Sequence, residues 1–152
     1  MAANTQLNTA TVPSPVFTTT VSLSSADIQS MYTTGILLIA AQGAHTVVMV
    51  HDVFFEYIFV TTEYIDGDLP QISYGSLNGD FNPSPIMILS NLFLQTDSAF
   101  YQTNGSETGG VILSSLGCVN TGVYISNYSA NFSGGDSTAK VTLTYSVITT
   151  TA

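Results

Sequence analysis

Apolar positions in this chain come in short runs separated by polar, glycine-marked or proline-marked breaks, and most runs have a period of two. The clearest is Lys140 to Thr149, where Val141, Leu143, Tyr145 and Val147 alternate with Lys140, Thr142, Thr144 and Ser146. Strict alternation predicts a strand with one face on a core and the other on solvent or a polar contact. Val16 to Leu23 is a strand-like run of Val, Phe and Thr, and Gly35 to Ala41 is almost wholly apolar, as a buried strand would be. The longest signal is Thr46 to Thr62. Its even positions Val48, Val50, Phe54, Ile58 and Val60 share a face with Asp52 and Glu56, and its odd positions Val47, Met49, Val53, Phe55, Tyr57 and Phe59 share the other with His51. Two apolar faces suit a strand packed on the core and on a partner, and a run of that length predicts a bulge.

Further strands are expected at Gln71 to Ser76, Ser98 to Thr103 and Gly122 to Tyr128, with apolar runs at Ile86 to Leu94 and Val111 to Leu113. Turns fall at Gln42-Gly43-Ala44, at Asp66-Gly67-Asp68-Leu69-Pro70 and at Asn78-Gly79-Asp80, whose Asn-Gly pair is a strong hairpin signal. Loops follow at Asn82-Pro83-Ser84-Pro85 and Asn104 to Gly110. Ser24-Ser25-Ala26-Asp27-Ile28-Gln29-Ser30-Met31 breaks the rhythm. A serine start with Asp or Gln in the first turn offers acceptors to free backbone N–H groups, which predicts one short helix near residues 25–31 with Ile28 and Met31 on its buried face.

Residues 1–15 are polar and end in Pro13-Ser14-Pro15, which holds the chain extended and out of a central strand. The expected layout is an extended N-terminal arm at 1–15 and a β-sandwich domain at 16–152. The fold class is all-β: an antiparallel sandwich or jelly roll of about eight strands. Pro13, Pro15, Val16 and Phe17 are the candidate partner-binding residues of the arm.

Composition narrows the function. Charged residues make up 7% of the chain, against about 25% in an average soluble domain. Lys140 is the only Lys or Arg, and the formal net charge is −9. Such a chain repels phosphate, so neither nucleic acid nor an anionic membrane surface is an expected partner. A sparsely charged surface is also what subunit contacts require. Cys118 is the single cysteine, which rules out an intramolecular disulfide. The start Met1-Ala2-Ala3-Asn4-Thr5-Gln6 lacks the basic and apolar regions of a secretion signal, and His51, Asp52, Glu56 and Glu63 interrupt the longest hydrophobic stretch. Synthesis in a cytoplasm is the expectation.

Catalytic chemistry has little to work with. No Gly-x-Ser-x-Gly, phosphate-binding glycine loop or His-Glu-x-x-His pattern occurs. Asp52 and Glu56 lie four apart on a strand, roughly 13 Å along the backbone, whereas paired glycosidase carboxylates stand about 5 to 9.5 Å apart. Cys118 follows Gly117 in apolar surroundings and reads as a small core residue. Asp66, Asp68 and Asp80 flank glycine turns where oxygen ligands could hold calcium, but without an EF-hand ladder, and Asp before Gly is ordinary turn chemistry. His45 and His51 lie far from a second ligand cluster. No cofactor, no metal and no enzymatic activity are expected.

The order of features carries a resemblance. Val21-Ser22-Leu23-Ser24-Ser25-Ala26-Asp27-Ile28-Gln29-Ser30-Met31 precedes Leu37-Leu38-Ile39-Ala40-Ala41-Gln42-Gly43-Ala44. The long strand through Phe59 follows, then Asp66-Gly67-Asp68-Leu69-Pro70-Gln71-Ile72-Ser73-Tyr74-Gly75, and finally Gly135-Asp136-Ser137-Thr138-Ala139-Lys140-Val141-Thr142-Leu143-Thr144-Tyr145. Across residues 20–150 this layout resembles small virion proteins of tailed phages, especially the jelly-roll-like capsid decoration (cement) proteins of cyanophage-type capsids. The resemblance implies a homotrimer on the outer capsid surface that bridges neighbouring major capsid subunits. It departs from that picture in its near absence of basic residues. The alternative is a phage tail or fibre module that binds host-surface glycans, with Tyr32, Tyr57, Tyr64, Tyr74, Tyr101, Tyr124, Tyr128 and Tyr145 as candidates for stacking on sugar rings.

Overall fold

The computed structural model describes residues 14–67, 69–75, 85–88, 91–104, 117–128 and 130–150. Among these are ten strands and one short helix: β1 (Val16–Leu23), α1 (Ser25–Ser30), β2 (Ile36–Ile39), β3 (Thr46–Ile58), β4 (Tyr64–Asp66), β5 (Pro70–Tyr74), β6 (Pro85–Ile88), β7 (Ala99–Asn104), β8 (Val123–Asn127), β9 (Phe132–Gly134) and β10 (Thr138–Thr149). One four-stranded sheet runs β1-β10-β3-β7 and the other β2-β8-β5-β6, while β4 and β9 form a small two-stranded sheet.

The strand order has a simple logic. Set β4 and β9 aside and number the remaining eight strands from one to eight in chain order. The first then pairs with the eighth, the second with the seventh, the third with the sixth and the fourth with the fifth, all antiparallel. The chain is thus a long hairpin ribbon, rolled so that successive strand pairs alternate between two sheets. β10 against β3 and β8 against β5 close the roll, again antiparallel. That is the double-sheet jelly roll within the sandwich class.

Alternation fills the core between the sheets. Val53, Phe55 and Tyr57 of β3 and Val141 and Leu143 of β10 are buried, as are Ile72 and Tyr74 of β5 and Val123 and Ile125 of β8. The Tyr74 hydroxyl reaches across to donate to the Val48 carbonyl and ties the two sheets together. At one end Tyr57, Tyr64, Phe93 and Phe132 interlock edge to face, with centroids 5.5 to 6.5 Å apart.

The helix forms where expected. Ser24 caps it, accepting from the Asp27 N–H, while the Asp27 carboxylate accepts from the Ser24 N–H, a complete capping box. Ile28 and Met31 are both fully buried.

Several expectations change. The long strand is bulged at His51: Thr144 opposes Asp52 but Tyr145 opposes Val50, so His51 has no partner position. One extra residue reverses the side-chain phase, so Val48 and Val50 share the inner face with odd-numbered Val53, Phe55 and Tyr57. A single parity for the whole run is therefore wrong. The apolar run Ile86 to Leu94 is not one strand; β6 ends at Ile88, and Leu92 and Phe93 enter the core from a turn. Pattern reading also missed β4 and β9, three residues each and too short to show a period. The turn Asn78-Gly79-Asp80, the apolar run Val111 to Leu113 and the loop expected at Asn104 to Gly110, except Asn104 at the end of β7, lie outside the described residues.

Candidate interaction surface

Rows of the first sheet define its outer face. Residues opposite one another across antiparallel strands point to the same side, so the register reads directly as a grid. Ser22, Lys140, Glu56 and Phe100 form one row, and Thr20, Thr142, Phe54 and Gln102 the next. Thr18, Thr144 and Asp52 form a third, and Val16, Ser146 and Met49 a fourth.

Side chains knit this face together. Lys140 Nζ lies 3.1 Å from Glu56 Oε2, Thr20 and Thr142 share a hydroxyl hydrogen bond of 2.9 Å, and Gln102 Nε2 donates to Asp52 Oδ2 at 3.2 Å. His51 Nε2 lies 2.9 Å from Ser146 Oγ. Phe54 and Phe100 stack at 5.7 Å, yet remain 38% and 69% exposed. A stacked aromatic pair left in water on an otherwise hydroxyl-rich sheet is the site's most distinctive feature, because aromatic rings dominate interface energetics. Among the described residues the second sheet shows no stacked, exposed aromatic pair. Gln71, Ser73 and Ser126, which alternate with core-facing Ile72, Tyr74 and Ile125, are buried too.

The candidate residues of the arm divide. Pro13 lies outside the described residues, and Pro15 is exposed just ahead of β1. Val16 and Phe17 are the first two residues of β1, opposite Ser146 and Tyr145, and are 62% and 42% exposed. Phe17 packs against Tyr145 with centroids 5.5 Å apart. They are therefore exposed residues of a paired edge strand.

The remaining chemistry is dispersed. Asp52 and Glu56 share the outer face, but Asp52 is held by Gln102 and Glu56 by Lys140. His45 adopts a positive φ of 59° in a turn whose carbonyl accepts from the Thr150 N–H at 2.7 Å. Cys118 is buried in the hydrophobic core. Asp66 accepts a hydrogen bond from Ser133 Oγ, and Asp68 and Asp80 lie outside the described residues. Among the described residues no group of three His, Cys, Asp or Glu side chains is placed to hold a metal, and no helix is long and apolar enough to cross a membrane. A depression of about 320 Å³ lies between α1, β1 and β10, lined by Ser22, Ser24, Asp27, Ile58 and Lys140. Its carboxylate is committed to the helix cap and its ammonium to Glu56. Asp136 accepts from the Thr61 hydroxyl and from the Thr61 and Thr62 N–H groups, which hold its carboxyl below the usual range and pin a loop. Of the tyrosines considered for glycan stacking, Tyr128 is exposed and Tyr101 half-buried, while Tyr57, Tyr64 and Tyr74 are core residues.

Pattern reading had identified Phe54 as part of an apolar face shared with Asp52 and Glu56. Phe100 was missed, since only the β3·β7 register places it beside Phe54.

No family model matches the sequence, and no curated protein matches it. A chain of the cyanophage Pam1 capsid asymmetric unit is similar in structure, at 17% identity over 88% of this chain and 85% of that one, with a TM-score of 0.47.

Proposed function

We propose that this chain is a non-enzymatic virion structural protein that decorates the outer surface of a phage capsid. It self-associates, three copies together, and stabilises the shell by bridging major capsid subunits. The observation that carries this reading is the outer face of the β1-β10-β3-β7 sheet. It sets an exposed Phe54–Phe100 stack among hydroxyl side chains and carries two carboxylates and one ammonium, in a chain of net charge −9. A surface low in charge with uncovered aromatic rings suits burial against another protein subunit. The acidic balance suits a surface facing away from packaged nucleic acid. The layout resembling capsid decoration proteins, described from the sequence, points the same way. Each bridging contact would stabilise the assembled shell by mass action.

The test is the copy number and radial position of the protein on purified virions, by cryo-electron microscopy. Density at every local threefold or intercapsomer site is the expected result. Density only at a tail or unique vertex would transfer the reading to a receptor-binding module, and absence from particles would end both.

A further inference from the structure

A sheet edge is a row of unpaired N–H and C=O groups, and proteins ordinarily protect it with lysine, proline, bulges or short length. β1 has none of these protections. It is eight residues long, pairs with β10 in unbroken register from Val16 to Leu23, and contains neither a charge nor a proline. Among the described residues its other side pairs with no strand, and Val16, Phe17, Thr18, Thr20 and Ser22 are exposed.

We propose that the free edge of β1 pairs antiparallel with β1 of a second copy, joining two sheets of four strands into one of eight across a twofold axis near Thr19. The strand is complementary to itself. A twofold axis normal to the sheet sets odd-numbered residues opposite odd-numbered ones and even opposite even. Phe17 then faces Val21 of the other copy on the core side, and Thr18 faces Thr20 on the outer side, both favourable cross-strand pairs. Electrostatics agree. A chain of net charge −9 resists self-association at most places, but β1 has no charge, and the only charged side chain of neighbouring β10, Lys140, is paired to Glu56. Pro15, which has no N–H, ends the ladder just before Val16. An isologous contact of this kind is the commonest way identical subunits meet.

This contact is independent of the threefold grouping proposed above and doubles whatever that grouping contains. The experiment is native mass spectrometry and light scattering on the purified full chain, alongside Thr18→Lys/Thr20→Lys, which places outward charges along the edge. The expected result is an even copy number that the double variant halves, with circular dichroism unchanged. An odd copy number in the parent chain, or the same copy number in both proteins, overturns the proposal. Should the variant fail to fold, hydrogen exchange in the parent chain decides, read at the β1 amides that point away from β10. Protection that fades on dilution supports the contact, and protection independent of concentration overturns it. An even copy number that the variant halves, with the parent chain absent from purified particles, would count against the virion reading and leave the β1 contact standing.

Discussion

At the residue scale the buried tyrosines hold the most specific information. Burial pushes the Tyr74 hydroxyl up to about 12, and Tyr57 and Tyr64 are raised for the same reason. An unfolded tyrosine ionises near pH 10. Between that value and the folded one, the unfolded chain binds fewer protons than the native chain, so stability falls as pH rises; below about pH 10 the contribution is fully present. The protein is therefore expected to unfold in alkali over the window from about pH 10 to 12. Tyr74→Phe should move that midpoint upward while costing about 1 kcal/mol at neutral pH through the lost bond to Val48. Circular dichroism across a pH series, paired with denaturant melts at pH 7, reads both effects. None of this was legible in the sequence, where Tyr74 is one of eight tyrosines. Its depth and its carbonyl partner come from a strand 26 residues away in sequence.

At the element scale the sequence was most informative where a period repeats. β1, β10 and the helix cap follow from local pattern and capping chemistry alone. The elements that failed are those decided by distant partners. β4 and β9 exist because each completes the other, and the turn at Asn91 draws Leu92 and Phe93 under the sheets. The bulge was foreseeable from length, but its position was not, because it is defined only by which β10 residue faces which β3 residue. That position governs packing. Deleting His51 would set Val50 directly beside Asp52, as Tyr145 is beside Thr144, and give β3 one unbroken phase with Val48, Val50, Val53, Phe55 and Tyr57 all inward. The deletion is expected to keep a cooperative transition in calorimetry, whereas inserting one alanine after Val53 would turn out one half of the inner face and abolish it. His51→Ala, which keeps the extra residue and loses only the Ser146 contact, should cost about 1 kcal/mol.

At the scale of the whole molecule, the class of fold was readable from alternation and turns, but the grid on the outer face of the first sheet was not. Phe54 and Phe100 are 46 positions apart in sequence and meet only through strand register. Phe54→Ser/Phe100→Ser should leave the melting temperature nearly unchanged, since both rings face water, and should weaken retention on particles at least tenfold, scored by co-sedimentation with virions. The rolled-ribbon topology also dictates when the molecule can form at all. β10 lies between β1 and β3, yet it is synthesised after every other strand of both sheets. While the chain emerges from a ribosome, β1 has no neighbour to pair with, and the second sheet has no finished partner to dock on. Folding therefore waits for the last strand and then proceeds through contacts distant in sequence, which places it in the slow, millisecond-to-second class of β proteins. A copy not yet translated through β10 presents neither the outer face nor a stable edge, so competence to assemble begins only with that strand.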